Sequence, residues 1–214
     1  MTPGGTDTAN RGFGLKLLRL VATAEPSSLI SGDVTEDGAN SVYVKTSPIH
    51  GLGVFARRTF ATGENVLPRT GRAISQDQPL DTAQGEAEQH CALIENGRQI
   101  YLDFPTRFIN HSCEANAFVA DRDGLRQVVA LKPIHAHEEV LLHYGVDLNG
   151  QTPWKCHCGS ESCLRVVPGS FFEMPIEAQI ELSPFLSSWF IKENAEAYQA
   201  MLEEAGLDGE ALSN

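Results

Sequence analysis

The sequence predicts an α+β fold that is mainly β, with its regular helices after residue 168. Three observations carry that prediction. Between residues 41 and 145, short alternating apolar runs recur with Gly and Pro between them, the punctuation of strands joined by tight turns. Three cysteines crowd into "CHCGSESC" at 156–163. Beyond them, apolar side chains return at helical spacing.

The elements follow in chain order. Residues 1–40 are rich in Gly, Thr, Asp, Ser and Ala, and read as a partly flexible N-terminal extension with one docked apolar piece at 15–21. From Ser41 the texture changes: "SVYVK", "GVFARR" and "ENVL" are strand-like, as is "QIYLDF" at 99–104. The polar, helix-compatible stretch within 75–98 reads as an insert. "NAFVA" and "LRQVVALK" form a hairpin about Asp123-Gly124, a dipeptide suited to a turn with two positive φ angles. "EEVLLHYG" alternates, placing Val140, Leu142 and Tyr144 on one face and Leu141 and His143 on the other. A strand-rich domain over 41–150 is therefore followed by a Cys-rich loop at 151–167 and a helical extension at 168–214. Pro175 marks a helix start, Pro184 interrupts, and Gly206 ends a run carrying Phe185, Trp189, Tyr198, Met201 and Leu202. Trp189, Phe190 and Tyr198 are too apolar for water. They are expected to cover a cleft, form a homodimer interface or dock on the core.

The chain has 214 residues, with 16 Lys plus Arg against 28 Asp plus Glu and a net charge of −12. Such a surface repels phosphate backbones, so no direct nucleic-acid contact is expected, whereas a basic protein partner would be attracted. No apolar run approaches the roughly 20 residues of a membrane span. "LKLLRLVATA" is broken by Lys16 and Arg19, which argues against a signal peptide. An intracellular, soluble protein is the expectation.

Five cysteines, at 91, 113, 156, 158 and 163, point in that setting to metal or catalysis before disulfides. Cys156, Cys158 and Cys163 would supply three corners of a tetrahedral zinc site, with Gly159 relaxing the turn. A fourth ligand must come from elsewhere. His157 is sterically poor beside Cys156 and Cys158. Cys91 reads as a small buried hydrophobe. Cys113 lies in "RFINHSCEAN", which sets Asn110, His111 and Cys113 side by side. A fully thiolate site would be closed and structural. His135 and His137 read as turn residues rather than ligands.

Four of these segments together resemble a known family. "HGLGVFARRTFATGENV" is similar to the opening of a SET domain, "RFINHSCEAN" to its Asn-His-Ser-Cys signature, "EEVLLHYG" to its closing strand and catalytic tyrosine, and "CHCGSESC" to the post-SET zinc motif. The resemblance spans about 41–167 and implies small twisted sheets with a pseudoknot, S-adenosylmethionine as methyl donor, and transfer to a lysine of a basic protein. It implies Tyr144 as the catalytic residue. His50, Gly51 and Leu52 would pass backbone groups to the donor's methionine part, and Asn110 and His111 would hydrogen-bond its amine and adenine. Arg107 and Phe108 would shape the same wall, with Cys158 and Leu164 near the adenine. It also implies structural Zn2+ shared by Cys113, Cys156, Cys158 and Cys163.

The pattern departs from the family in four places. Pro68-Arg69 replaces a Glu-Tyr pair, leaving Arg69 as a contact for the donor's carboxylate. His143 replaces an acidic residue, "DFPT" replaces a Gly-Asn, and Leu164-Arg165 replaces an Arg-Gly. These departures motivate two alternatives: a SET-like enzyme acting on a small molecule, including a non-methylating reaction such as cyclisation, and a non-catalytic cofactor-binding module.

Overall fold

The computed structural model describes residues 41–207; the expectation of a flexible extension at 1–40 lies outside these residues. Among the described residues the strands form five small sheets, four of them in the strand-rich part and one at the base of the cysteine loop. Strand β1 (Val42–Thr46) pairs antiparallel with β2 (Leu52–Ala56), in register Val42 to Ala56. β3 (Asn65–Pro68) joins a three-stranded sheet with β8 (Ala117–Arg122) and β9 (Leu125–Ala130), with β9 central. The β8–β9 hairpin turns at Asp123 and Gly124, whose φ angles are 53° and 77°, so the Asp-Gly signal maps onto the turn it specifies.

The insert differs from the helical expectation. It forms three short 3-10 turns and the strand β5 (Cys91–Leu93). β5 pairs with β6 (Gln99–Leu102), which also pairs with β4 (Gly71–Ala73). Local polarity favoured a surface helix, but β6 offers an open ladder edge to both neighbours. Cys91 is half-buried rather than buried, and its thiol faces the Ala87 carbonyl at 3.8 Å.

Two short strands position the site. β7 (Asn110–His111) and β10 (Leu141–Leu142) pair in parallel, aligning Asn110 with Leu141 and His111 with Leu142. Asn116 locks the pairing: its Oδ1 accepts from Leu141 N at 2.8 Å, and its Nδ2 donates to Glu139 O at 2.8 Å. The simple alternation expected over 140–144 gives way here. Val140, Leu142 and also His143 are buried, whereas Tyr144 keeps 41% of its surface. The strand ends at Leu142, so the period of two is lost before His143. Around these strands lies one apolar core containing Val54, Phe60, Ile109, Val128, Ile134, Val140 and Leu142.

Beyond Tyr144, β11 (Trp154–Lys155) pairs with β12 (Val166–Val167), closing the cysteine loop at its base. Three helices follow: α1 (Ile176–Leu182), α2 (Ser188–Glu193) and α3 (Ala195–Ala205). Pro175 precedes α1, Pro184 sits in the 3-10 turn between α1 and α2, and Gly206 ends α3 at φ 66°. The run expected to be continuous from 185 breaks at Asn194, whose side chain donates to Phe190 O at 2.9 Å and accepts from Asn149 Nδ2 at 2.6 Å. These helices build a second core around Phe171, Met174, Leu182, Leu186 and Phe190, against which Val146, Leu164, Trp189 and Tyr198 pack. Trp189, Phe190 and Tyr198 thus pack within this second core. Among the described residues, no helix is long and apolar enough to cross a membrane.

Phe190 keeps 1% of its surface, stacks on Phe172 at 5.7 Å and meets Phe171 edge-on. Phe190→Ala should lower unfolding free energy by about 3–5 kcal/mol in urea titrations. A loss below about 1 kcal/mol would show that the second core contributes little.

Candidate active site and thiol cluster

The site begins at the turn between β1 and β2. Gly51 sits at φ 49° with open space around it, so its role is conformational. Gly53 has a different reason. A Cβ there would collide with the carboxylate of Glu139 and approach Ser47 Cβ at 3.0 Å. The close approach that the Gly-x-Gly turn permits is therefore by a buried acid of the chain itself.

Glu139 ties three segments together. Its Oε2 accepts from Ser47 Oγ at 2.9 Å, and its Oε1 accepts from Asn110 Nδ2 at 2.9 Å. Asn110 Nδ2 also faces the carbonyls of His50 at 3.1 Å and Leu52 at 3.0 Å. Three acceptors around one atom fix the amide orientation, because only nitrogen can satisfy them. Asn110 Oδ1 is left without a hydrogen-bond donor among the described residues, on a half-buried side chain. That oxygen can accept from a cationic amine brought to the turn.

Next in the chain, His111 links two groups. The Tyr144 backbone N–H donates to its Nδ1 at 3.1 Å, while its Nε2 lies 3.5 Å from Cys113 Sγ. Burial, helped by the neighbouring His143, pushes the His111 pKa down to about 3. Burial likewise pushes His143 down to about 4. Both rings are thus neutral at pH 7. A backbone donor at Nδ1 puts the ring proton on Nε2, so His111 donates towards the Cys113 sulfur.

The four thiols of Cys113, Cys156, Cys158 and Cys163 all lie within 4.8 Å of one another. A tetrahedral metal held by thiolates at about 2.3 Å spaces its sulfurs about 3.8 Å apart; Cys113 and Cys156 Sγ are 3.9 Å apart. Burial pushes the Cys113 thiol up to about 11 and raises Cys156 as well. At Cys158 burial acts in the same sense, but the Ser160 side chain and the Cys113 and Ser160 backbones outweigh it and bring the thiol down to about 6. Four thiolates cannot ionise together at this spacing without a cation, and a divalent ion would supply the missing charge. The donor set fits zinc. His111, Cys113 and His143 also come within ligand distance of one another. The Gly145 N–H donates to His143 Nδ1 at 3.2 Å, so both rings carry their proton on Nε2 and cannot ligate through it. The all-thiol group is the metal candidate.

At the end of β10, the Tyr144 hydroxyl donates to Ile109 O. The residue keeps 41% of its surface although its hydroxyl is engaged. Burial, partly offset by Arg69, pushes the phenol up to about 12, so it is protonated at neutral pH. The turn at 50–52, the Asn110-His111 pair, Tyr144 and the thiol group thus form one connected arrangement.

The family model for the SET domain matches residues 51–145, which run from the Gly51 turn to the residue after Tyr144. Residues 51–145 are a SET domain. A Plasmodium falciparum protein provisionally named histone-lysine N-methyltransferase 1 is 34% identical over 137 residues, covering 58% of this chain and 2% of its own length. The histone-lysine N-methyltransferase SET9 of Phaeosphaeria nodorum is 31% identical over 115 residues, covering 51% of this chain and 17% of its own. A Chaetomium globosum histone-lysine N-methyltransferase, H3 lysine-36 specific, is 40% identical over 68 residues, covering 29% and 8%. The chain therefore spans less than a fifth of each of these relatives.

The remaining sequence-derived residues lie around this SET domain site. Leu164 N donates to Cys113 Sγ at 3.4 Å, and its side chain packs into the second core. The Arg107 guanidinium lies among the rings of Tyr101, Phe104 and Phe108, 5.1–5.8 Å from their centroids, and so faces the insert. Phe108 meets His90 edge-on at 5.3 Å. Arg69 follows β3, its N–H donating to Arg126 O at 2.8 Å, and interacts electrostatically with Tyr144, Asp147 and Arg126. Sequence reasoning missed Glu139, Ser47, Asp147 and Ser187. Glu139 was readable only as half of an exposed-looking Glu-Glu pair; its burial depends on Gly53, 86 positions earlier.

Gly53→Ala should destabilise the protein by about 1–3 kcal/mol through overpacking against the Glu139 carboxylate. In the Gly53→Ala/Glu139→Ala double variant the two losses should be clearly non-additive in denaturant titrations. Additive losses would mean that Gly53 serves something other than Glu139.

Proposed function

We propose that this protein is an S-adenosylmethionine-dependent methyltransferase that transfers methyl to a lysine amine of a basic protein, with a structural Zn2+ at Cys113, Cys156, Cys158 and Cys163. The observation that carries the reading is the connection of the two ends of the SET domain: Asn110 binds the turn at 50–52, and His111 binds the backbone of Tyr144. The histone-lysine methyltransferase names of the relatives favour a lysine acceptor, and the charge of −12 favours a basic one. Reduced thiols at a metal site fit an intracellular setting.

S-adenosylmethionine, when bound, supplies an electrophilic methyl on a sulfonium. The residues of the chain bind and align. His50, Gly51 and Leu52 line the turn, and Asn110 Oδ1 accepts from the donor's α-amine. The His111 imidazole is engaged with Tyr144 and Cys113, so its contact to an adenine falls to its backbone. Cys158 and Leu164 border that part of the pocket from the cysteine loop, with Arg107 and Phe108 on the wall beyond. Transfer from a sulfonium requires an in-line approach more than acid or base strength. A protonated Tyr144 meets that requirement, because its hydroxyl holds the acceptor amine in line. A desolvated amine beside a positive sulfur also loses its proton more readily.

Incubation with methyl-labelled S-adenosylmethionine and histone H3 should place label on lysine. Tyr144→Phe should lower kcat by about 10²-fold or more through lost alignment, whereas loss of its bond to Ile109 O should cost only about 1–3 kcal/mol of stability and leave the protein folded. Label on a small molecule alone would replace the protein acceptor. Donor binding without any turnover would point to a binding module.

A further inference from the structure

Near Tyr144, two guanidinium groups keep hydrogen-bond donors that the described residues do not fill. Arg69 makes no hydrogen bond or ion pair through its side chain among the described residues, although it is largely enclosed and burial pushes its pKa down to about 10. The half-buried residue still keeps accessible surface. Arg126, whose carbonyl accepts from Arg69 N, has a buried Nε without a hydrogen-bond partner.

The nearby carboxylates do not fill the need. Asp147 accepts from Ser187 N at 2.7 Å through Oδ1 and from Ser187 Oγ through Oδ2, leaving Arg126 Nη2 at 3.7 Å. Asp121 lies 3.7 Å from Arg126 Nε and is mostly solvent-exposed. Neither is within hydrogen-bond distance of either guanidinium. Ser187 holds Arg126 from the other side through its Oγ, at 2.9 Å from Nη2. Two like charges are thus held together by the sheet and by the segment before α2, and Arg126 adds to the effect of burial in weakening the protonation of Arg69. An anion relieves that repulsion and supplies the missing acceptors, and a carboxylate matches the guanidinium fork.

We propose that Arg69 and Arg126 form a carboxylate-binding site beside Tyr144, and that the methyl acceptor supplies the carboxylate from a residue flanking its lysine. This rests on the methyltransferase reading above and narrows its substrate class. The basic partner attracted by the acidic surface carries an acidic residue next to the lysine that is methylated. The S-adenosylmethionine carboxylate has the same chemistry, and the test separates the two sources.

The first measurement does not depend on turnover. In the full-length protein, the Nε–H signals of Arg69 and Arg126 should shift saturably with sodium acetate in NMR spectra, against sodium chloride at matched ionic strength. Arg69→Tyr should abolish the Arg126 response, and Arg69→Lys should weaken it. Signals indifferent to acetate overturn the site, whatever the methyl assay gives.

The second measurement compares lysine peptides that differ only in Glu or Gln beside the lysine. For the native protein, kcat/KM should favour the Glu peptide about tenfold or more, the range of a lost charge-assisted hydrogen bond. In Arg69→Tyr that preference should vanish while S-adenosylhomocysteine affinity stays within about twofold. If acetate binds but the Glu peptide gains nothing, or if the variant loses only S-adenosylhomocysteine affinity, the assignment to the acceptor is overturned. Methyl transfer to neither peptide alongside saturable acetate binding would count against the methyltransferase reading and not against the anion site.

Discussion

Four thiols from two distant parts of the chain meet at Cys113, and the geometry of the whole site descends from that meeting. Cys156, Cys158 and Cys163 sit on one loop, but Cys113 belongs to the strand segment that also carries Asn110 and His111. Nothing local holds the loop against that segment, because β11 and β12 close it only at its base. The contacts that do so gather at Cys113 and its neighbour Glu114, whose Oε1 accepts from Ser162 N and Oγ at 2.9 Å. Cys113 faces Cys156, takes the Leu164 N–H and lies opposite His111 Nε2. A thiolate there, held by a divalent ion, would strengthen each donor directed at it. Through the imidazole, the same sulfur is connected to the Tyr144 backbone.

A second polar knot holds the other side. Glu139, Ser47 and Asn110 exchange hydrogen bonds in a region that Gly53 leaves open. Buried polar groups persist only when they are hydrogen-bonded, and both Glu139 oxygens accept a hydrogen bond. The knot fixes the turn at 50–52 relative to Asn110, whereas the thiol group fixes the cysteine loop relative to His111. Neighbouring residues on one strand thereby tie down two separate segments, the turn and the cysteine loop. The C-terminal helices add a third support: Ser187 orients Asp147 and Arg126 beside Tyr144.

Much of this was legible in the sequence where spacing or composition has a local physical cause. The Asp123-Gly124 turn, the stop at Gly206 and the cysteine spacing each follow from short-range chemistry, and the structure places them as read. What could not be read depends on long-range pairing. The insert is polar and would suit a helix alone, but the edges of β6 recruit β4 and β5. The break at Asn194 arises because Asn149, 45 positions earlier, accepts that residue as a partner. The two glycines of one Gly-x-Gly turn proved to have separate roles, one for a positive φ and one for a carboxylate far along the chain. The loss of alternation at His143 follows from a strand only two residues long.

The metal clamp is the claim from which the others follow, and sulfur K-edge and zinc K-edge absorption on the purified chain test it most directly. The account predicts about one zinc per chain, surrounded by four sulfurs at about 2.3 Å and no nitrogen. A metal-free, fully folded protein, or a first shell containing imidazole nitrogen, would contradict it.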